Sequence, residues 1–137
     1  MIKRDFRNKP IKVMVVVGEA IAGVDEVREE TYRWADIVAE QINMFQEQPV
    51  KVFTKPIEPA ALGQRRRGFG MGQRSSVNKL DEDIAALNPD LLVIACGLND
   101  MRAGNPVEVF RDGLQKLIDR VRQKINPVIV LVNLFYI

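Results

Sequence analysis

Leu91-Leu92-Val93-Ile94-Ala95-Cys96-Gly97-Leu98-Asn99-Asp100 decides the reading of this chain. Leu91 to Ala95 is apolar without alternation. Such a run marks a strand buried on both faces, as in a parallel sheet covered by helices on both sides. At its carboxyl end the chain turns polar at Gly97, Asn99 and Asp100. These residue types favour turns, so the stretch reads as a strand-ending turn. In open parallel α/β sheets that end is also where sites form. Asn99 and Asp100 are therefore candidate site residues.

Outward from this strand, apolar strands alternate with segments of helical period. Residues 11–17 are Val-rich and suit a buried strand. From Thr31 to Gln46, Ala35, Val38, Ile42 and Phe45 fall on one helical face, with Trp34 and Ile37 beside them. Gln48-Pro49 ends that helix, and Val50 to Thr54 is a short strand. Ser76 is placed to cap a helix reaching Leu87, with Val77, Leu80, Ile84 and Leu87 inward. Asn105-Pro106-Val107-Glu108 has the form of a helix start, with Asn as cap and Pro at the first position. Phe110, Leu114, Leu117, Val121 and Ile125 give that helix its apolar stripe, and Val128 to Val132 is a last apolar strand. The order β-α-β-loop-α-β-α-β implies about four parallel strands joined by right-handed crossovers, with helices on both faces. Residues 1–137 read as one domain.

The segment 56–76 differs from the rest. Glycines at 63, 68, 70 and 72 make it a loop, and Arg65, Arg66, Arg67 and Arg74 make it basic. It reads as a solvated insertion or as a basic flap over an anionic ligand. Without interleaved aromatics it gives no case for nucleic acid, and a net charge of +2 gives none either. Gly18 and Gly23 lie five apart but lack the Lys-Ser/Thr or G-x-G-x-x-G of a nucleotide loop. No run is long enough to span a membrane. The basic start before Val13 is broken by Pro10, and Glu19 cuts the apolar run short, so a cytoplasmic chain is expected rather than a secreted one. The single cysteine, Cys96, allows no internal disulfide. The chain contains no histidine, which excludes from it a Ser-His-Asp or Cys-His site and any histidine-ligated metal.

Three pieces in order resemble the SGNH (GDSL-type) hydrolases, a superfamily of esterases, lipases and related acyl hydrolases. Val15 to Gly23 resembles the opening strand and its G-D-S-x-[ST]-x-G turn. Gly97-Leu98-Asn99-Asp100 matches the G-x-N-D of that family. The spacing of helices, strands and glycine-containing loop is similar over nearly the whole chain. The resemblance implies a flavodoxin-like, three-layer α/β/α fold and hydrolysis of a small ester or acylated carbohydrate, without cofactor or metal. It places the nucleophile position at Ala20 and an oxyanion-hole donor at Asn99. A second donor falls at Gly72 or Gly70. Gly18, Glu19, Asp100 and Arg65 to Arg67 would line the binding region.

Two departures bear on activity. Ala20 stands where the family has serine, so no acyl-enzyme can form there. The family's D-x-x-H block follows the fourth strand, and Ile137 is reached without it. The chain as written is expected to be inert. It would be a domain lacking its C-terminal strand and helix, or a natural relative that binds a ligand or scaffolds. In either case Val128 to Val132 would form an exposed apolar edge, prone to pair with itself or with a missing segment.

Overall fold

A computed structural model describes residues 9–19, 34–57 and 77–132. Val13–Gly18 (β1), Lys51–Pro56 (β2), Leu91–Ala95 (β3) and Val128–Leu131 (β4) pair into one sheet in the order β2-β1-β3-β4. Every pairing is parallel, with Val15 opposite Phe53 and Leu92, and Leu92 opposite Ile129. The helices are Trp34–Asn43 (α1), Val77–Leu87 (α2), Leu98–Arg102 (α3) and Val107–Lys124 (α4). The chain winds one way from β1 to β2, then the other way across β1 to β3 and on to β4. With right-handed crossovers, that reversal puts α1 on one face and α2 with α4 on the other.

The core follows the side-chain alternation of the strands. Val15, Val17, Leu92 and Ile94 pack under Leu80 and Ile84 of α2 and Leu117 and Val121 of α4. Met14, Val16, Leu91 and Val93 pack under Ala35 and Ala39 of α1. Both central strands are thus buried on both faces, as their unbroken apolar runs require. Burying a side chain of this size stabilises by about 1.5–3 kcal/mol, so β1 and β3 carry much of the fold. No helix among the described residues is long and apolar enough to cross a membrane.

The expected elements are present, with four local differences. Phe45 does not join the buried face of α1: the helix ends at Asn43, and Phe45 stands 89% exposed in the turn beyond. Ile37 is exposed as well. Pro56, expected to open the loop, belongs to β2, and Ile57 is buried; residues 58–76, with Ser76 and the arginine cluster, lie outside the described residues. Asn105 does not cap α4: Pro106 is the N-cap, and no side chain bonds the first turn. Lastly, the polar turn after β3 winds into the short helix α3.

Polar side chains fix the amino ends of the strands. Asp90 Oδ2 accepts the N–H groups of Lys12 (2.8 Å) and Val13 (3.1 Å), while its carbonyl accepts Val128 N–H at 2.9 Å. One residue thereby aligns β1, β3 and β4. Gln46 extends β1 as a partner strand would, accepting Ile11 N–H at Oε1 (3.0 Å) and donating Nε2 to the Ile11 carbonyl (2.8 Å). Asn88 closes α2 at φ 44°, a left-handed conformation that Asn tolerates.

Between α2 and α4, Lys124 Nζ donates to Asp81 Oδ2 at 2.8 Å. Burial raises the Asp81 pKa, but the hydrogen bond and charge of Lys124 outweigh it and hold the carboxyl below its ordinary range. A carboxylate with a folded pKa below its unfolded one stabilises above the unfolded value. That stabilisation is lost as the pH falls through the folded value. Asp81→Asn should cost about 1–2 kcal/mol at pH 7, a modest figure because Lys124 remains partly in water. The difference from the parent should shrink as the pH drops below about 4. Urea unfolding at pH 7 and pH 3 measures both effects.

Candidate functional site

Helix α1 after β1 and helix α4 after β3 cover opposite faces of the sheet, so the strand order reverses between these two carboxyl ends. Ligands bind at such a switch point in open α/β sheets. Here Gly18 ends β1 and Glu19 follows it, and Cys96, Gly97 and Asn99 follow β3. The sheet ladder guides the chain there. Glu19 N–H reaches the Ala95 carbonyl at 3.4 Å, and Ile57 N–H donates to the Gly18 carbonyl at 2.7 Å.

Glu19 is 4% exposed, and its carboxylate joins the ends of β1 and β3. Oε1 accepts Gly97 N–H at 2.9 Å and Oε2 accepts Asn99 N–H at 3.0 Å. A buried charge is tolerated only when it is bonded in this way. Gly97 makes the geometry possible. Its φ of 127° lies where L side chains are rarely found, so a glycine is required for the chain to turn directly from β3 into α3.

Asp100, also buried, secures the other end of α3. Its Oδ1 accepts Asn105 Nδ2 at 2.9 Å, and its carbonyl accepts Asn105 N–H at 3.0 Å. This bond is why Asn105 does not cap α4. It also closes the turn Ala103–Gly104, in which Gly104 adopts φ 67°. Asn99 itself is half-buried, and its side chain hydrogen-bonds to no described residue. Glu19 occupies the peptide N–H groups at 97 and 99, so the side-chain amide is the donor Asn99 has left.

Glu19, next to Gly18, is thus bonded to the backbone of Gly97 and Asn99, and Asp100 is buried in the same short helix as Asn99. Ala20, Gly70, Gly72, Arg65, Arg66 and Arg67 lie outside the described residues. The sequence reading overlooked the roles of Gly97 and Asn105. For Asn105 the only signal was its Asn-Pro pair, which equally resembles a cap. Cys96 adjoins Glu19 and Asp100, but burial, then the charges of those two carboxylates, push its thiol up to about 12. A protonated buried thiol is a poor nucleophile, so Cys96 does not substitute for a serine. No group of three or more His, Cys, Asp or Glu among the described residues is arranged to hold a metal ion.

The profile of the GDSL-like lipase/acylhydrolase family matches residues 21–137. The chain belongs to that family. The matched span begins just after Ala20 and includes β2, β3, β4 and Asn99. Among solved structures, the psychrotrophic esterase EstA from Pseudoalteromonas sp. superposes with a TM-score of 0.62 at 16% identity. AlinE4, an SGNH-hydrolase family esterase, superposes with the same TM-score at 12% identity. Each alignment covers 88% of this chain and 58% of the esterase, so the GDSL-like chain spans a little over half the length of these relatives. The likeness shows a shared fold. No curated protein matched the sequence.

The state of Cys96 gives this site a direct probe. The native GDSL-like chain should resist alkylation by iodoacetamide at pH 8 and react at the rate of a free thiol once unfolded in urea. Rapid native labelling, read by mass spectrometry, would contradict the burial described above.

Proposed function

We propose that the chain carries the oxyanion-stabilising part of an acyl-ester hydrolase site, for a small ester or an acylated carbohydrate. Family membership supports the reaction class. The single observation that carries the reading is Asn99, held at the β1–β3 switch point by the Glu19 carboxylate with its amide left for a ligand. An amide donor fixed in place stabilises negative charge developing on a carbonyl oxygen, and one such donor contributes about 10²–10³ in rate. In this reading the nucleophile position is Ala20, and a second donor is Gly70 or Gly72. Arg65 to Arg67 would supply positive charge to an anionic ligand.

The chain as given lacks the hydroxyl at Ala20 and holds no histidine to act as base. We therefore expect it to be catalytically silent. Ala20→Ser alone should hydrolyse p-nitrophenyl acetate no faster than buffer. Added imidazole supplies a base, so Ala20→Ser should then show saturable turnover above an imidazole-only control. Asn99→Ala in that background should lose about 10²-fold or more. Turnover by Ala20→Ser without imidazole would contradict the missing base. Insensitivity to Asn99→Ala would contradict the role of Asn99. The absence of the hydroxyl and the base also favours a second reading, a non-catalytic relative that binds a small anion or carbohydrate or serves as a scaffold. Failure of imidazole to act, together with a melting temperature raised by acetate or phosphate, would favour that reading.

The sheet edge supports one further part of the proposal, self-association. β2, at one edge, carries Lys51, Lys55 and Pro56, which discourage strand addition. β4, outermost at the other edge among the described residues, is Val-Ile-Val-Leu, with Val130 and Leu131 exposed. Two copies pairing through β4 would cover those residues. Sedimentation should show a concentration-dependent dimer that Val130→Lys abolishes; a clean monomer at high concentration would overturn it.

A further inference from the structure

Helix α3 is five residues long. A helix this short is not stable through its own propensity, because nucleation is costly and few hydrogen bonds follow. Its place must come from tertiary ties. At its far end it has the Asp100–Asn105 bond, and at its start it has Glu19. Glu19 immediately precedes Ala20, so the residue that ties down α3 also ends the strand leading to the proposed nucleophile position. Strand β1 is anchored between β2 and β3, whereas α3 is a surface turn of helix carrying Asn99.

We propose that Glu19 is a positioning residue, whose carboxylate sets the place of the Gly97–Asn99 backbone, and with it the Asn99 amide, against the carboxyl end of β1. The consequence for catalysis rests on the reading of Asn99 as an oxyanion donor; the tie itself does not. The two oxygens act on different residues. Oε1 holds the glycine at which the chain reverses, and Oε2 holds the residue that bears the amide. This allocation also removes the peptide N–H groups of Gly97 and Asn99 from the set of donors a substrate oxygen could use. The oxyanion must then be met by the Asn99 side chain together with groups from elsewhere in the chain.

Residue-resolved hydrogen exchange on the full chain tests the tie, using the parent, Glu19→Gln and Glu19→Ala. In the parent, the amides of Gly97 and Asn99 should be protected although they lie outside the sheet ladder. Glu19→Ala should speed exchange at both by about tenfold or more, leaving the β3 amides near their parent rates. Glu19→Gln keeps the side-chain shape but turns an NH2 group toward one of the two donors, so one of the two amides should be released and the other retained. An even rise across β3, or no change at 97 and 99 in either variant, would overturn the proposal.

A kinetic arm, in the Ala20→Ser background with imidazole, separates the two readings. Glu19→Gln should lower kcat with little change in KM. If Asn99→Ala lowers kcat and Glu19→Gln does not, Glu19 does not position the amide and the proposal fails. If Asn99→Ala has no effect while exchange at 97 and 99 responds to Glu19, the tie stands and the oxyanion reading falls.

Discussion

The reversal of winding between β1 and β3 is the constraint on which the site depends. Had the chain continued in one direction, helices would have lain along one face and no switch point would lie between adjacent strand ends. The reversal demands two things of the sequence. Both central strands must be apolar on both faces, which the runs Met14–Val17 and Leu91–Ala95 satisfy. The strand ends must also diverge without leaving buried polar groups unmet. Glu19 answers the second demand, since its carboxylate satisfies two peptide N–H groups that the end of β3 would otherwise leave without a strand partner.

The two ends of the sheet are held by the same chemistry used for different purposes. At the amino ends, Asp90 and Gln46 supply side-chain oxygens and amides where the ladder runs out, and the effect is to fix strand register. At the carboxyl ends, Glu19 and Asp100 do the corresponding work on a short helix, and the effect is to place Asn99. The first arrangement is remote from any ligand. The second holds the backbone of the short helix that carries Asn99.

Much of the fold was legible because its signals are periodic. Leu117 and Val121, or Val15 and Val17, recur at the spacing of the element they belong to, and burial follows from that spacing. What escaped prediction depended on competition between local and distant partners. Asn105 has the sequence context of a cap, yet Asp100 captures its side chain first. Phe45 has the phase of the α1 stripe but lies past the last turn, where Asn43 Oδ1 turns instead to Val50 N–H at 2.9 Å. The candidate site was half legible. G-x-N-D after an apolar strand pointed to Asn99 and Asp100, but nothing in the neighbourhood of Glu19 indicated a bond across 80 residues. A long-range polar contact leaves no period in the sequence.

Placement of Asn99 is therefore evidence of a different kind from the presence of a nucleophile. Glu19 and Gly97 are required by the fold: remove the carboxylate and two N–H groups lose their partner; replace the glycine and the chain is strained at φ 127°. Neither requirement involves a reaction. The ties that hold the Gly97–Asn99 backbone can hence be kept for the fold alone. The persistence of that geometry speaks for the fold first, and for catalysis only where a nucleophile and a base are also present.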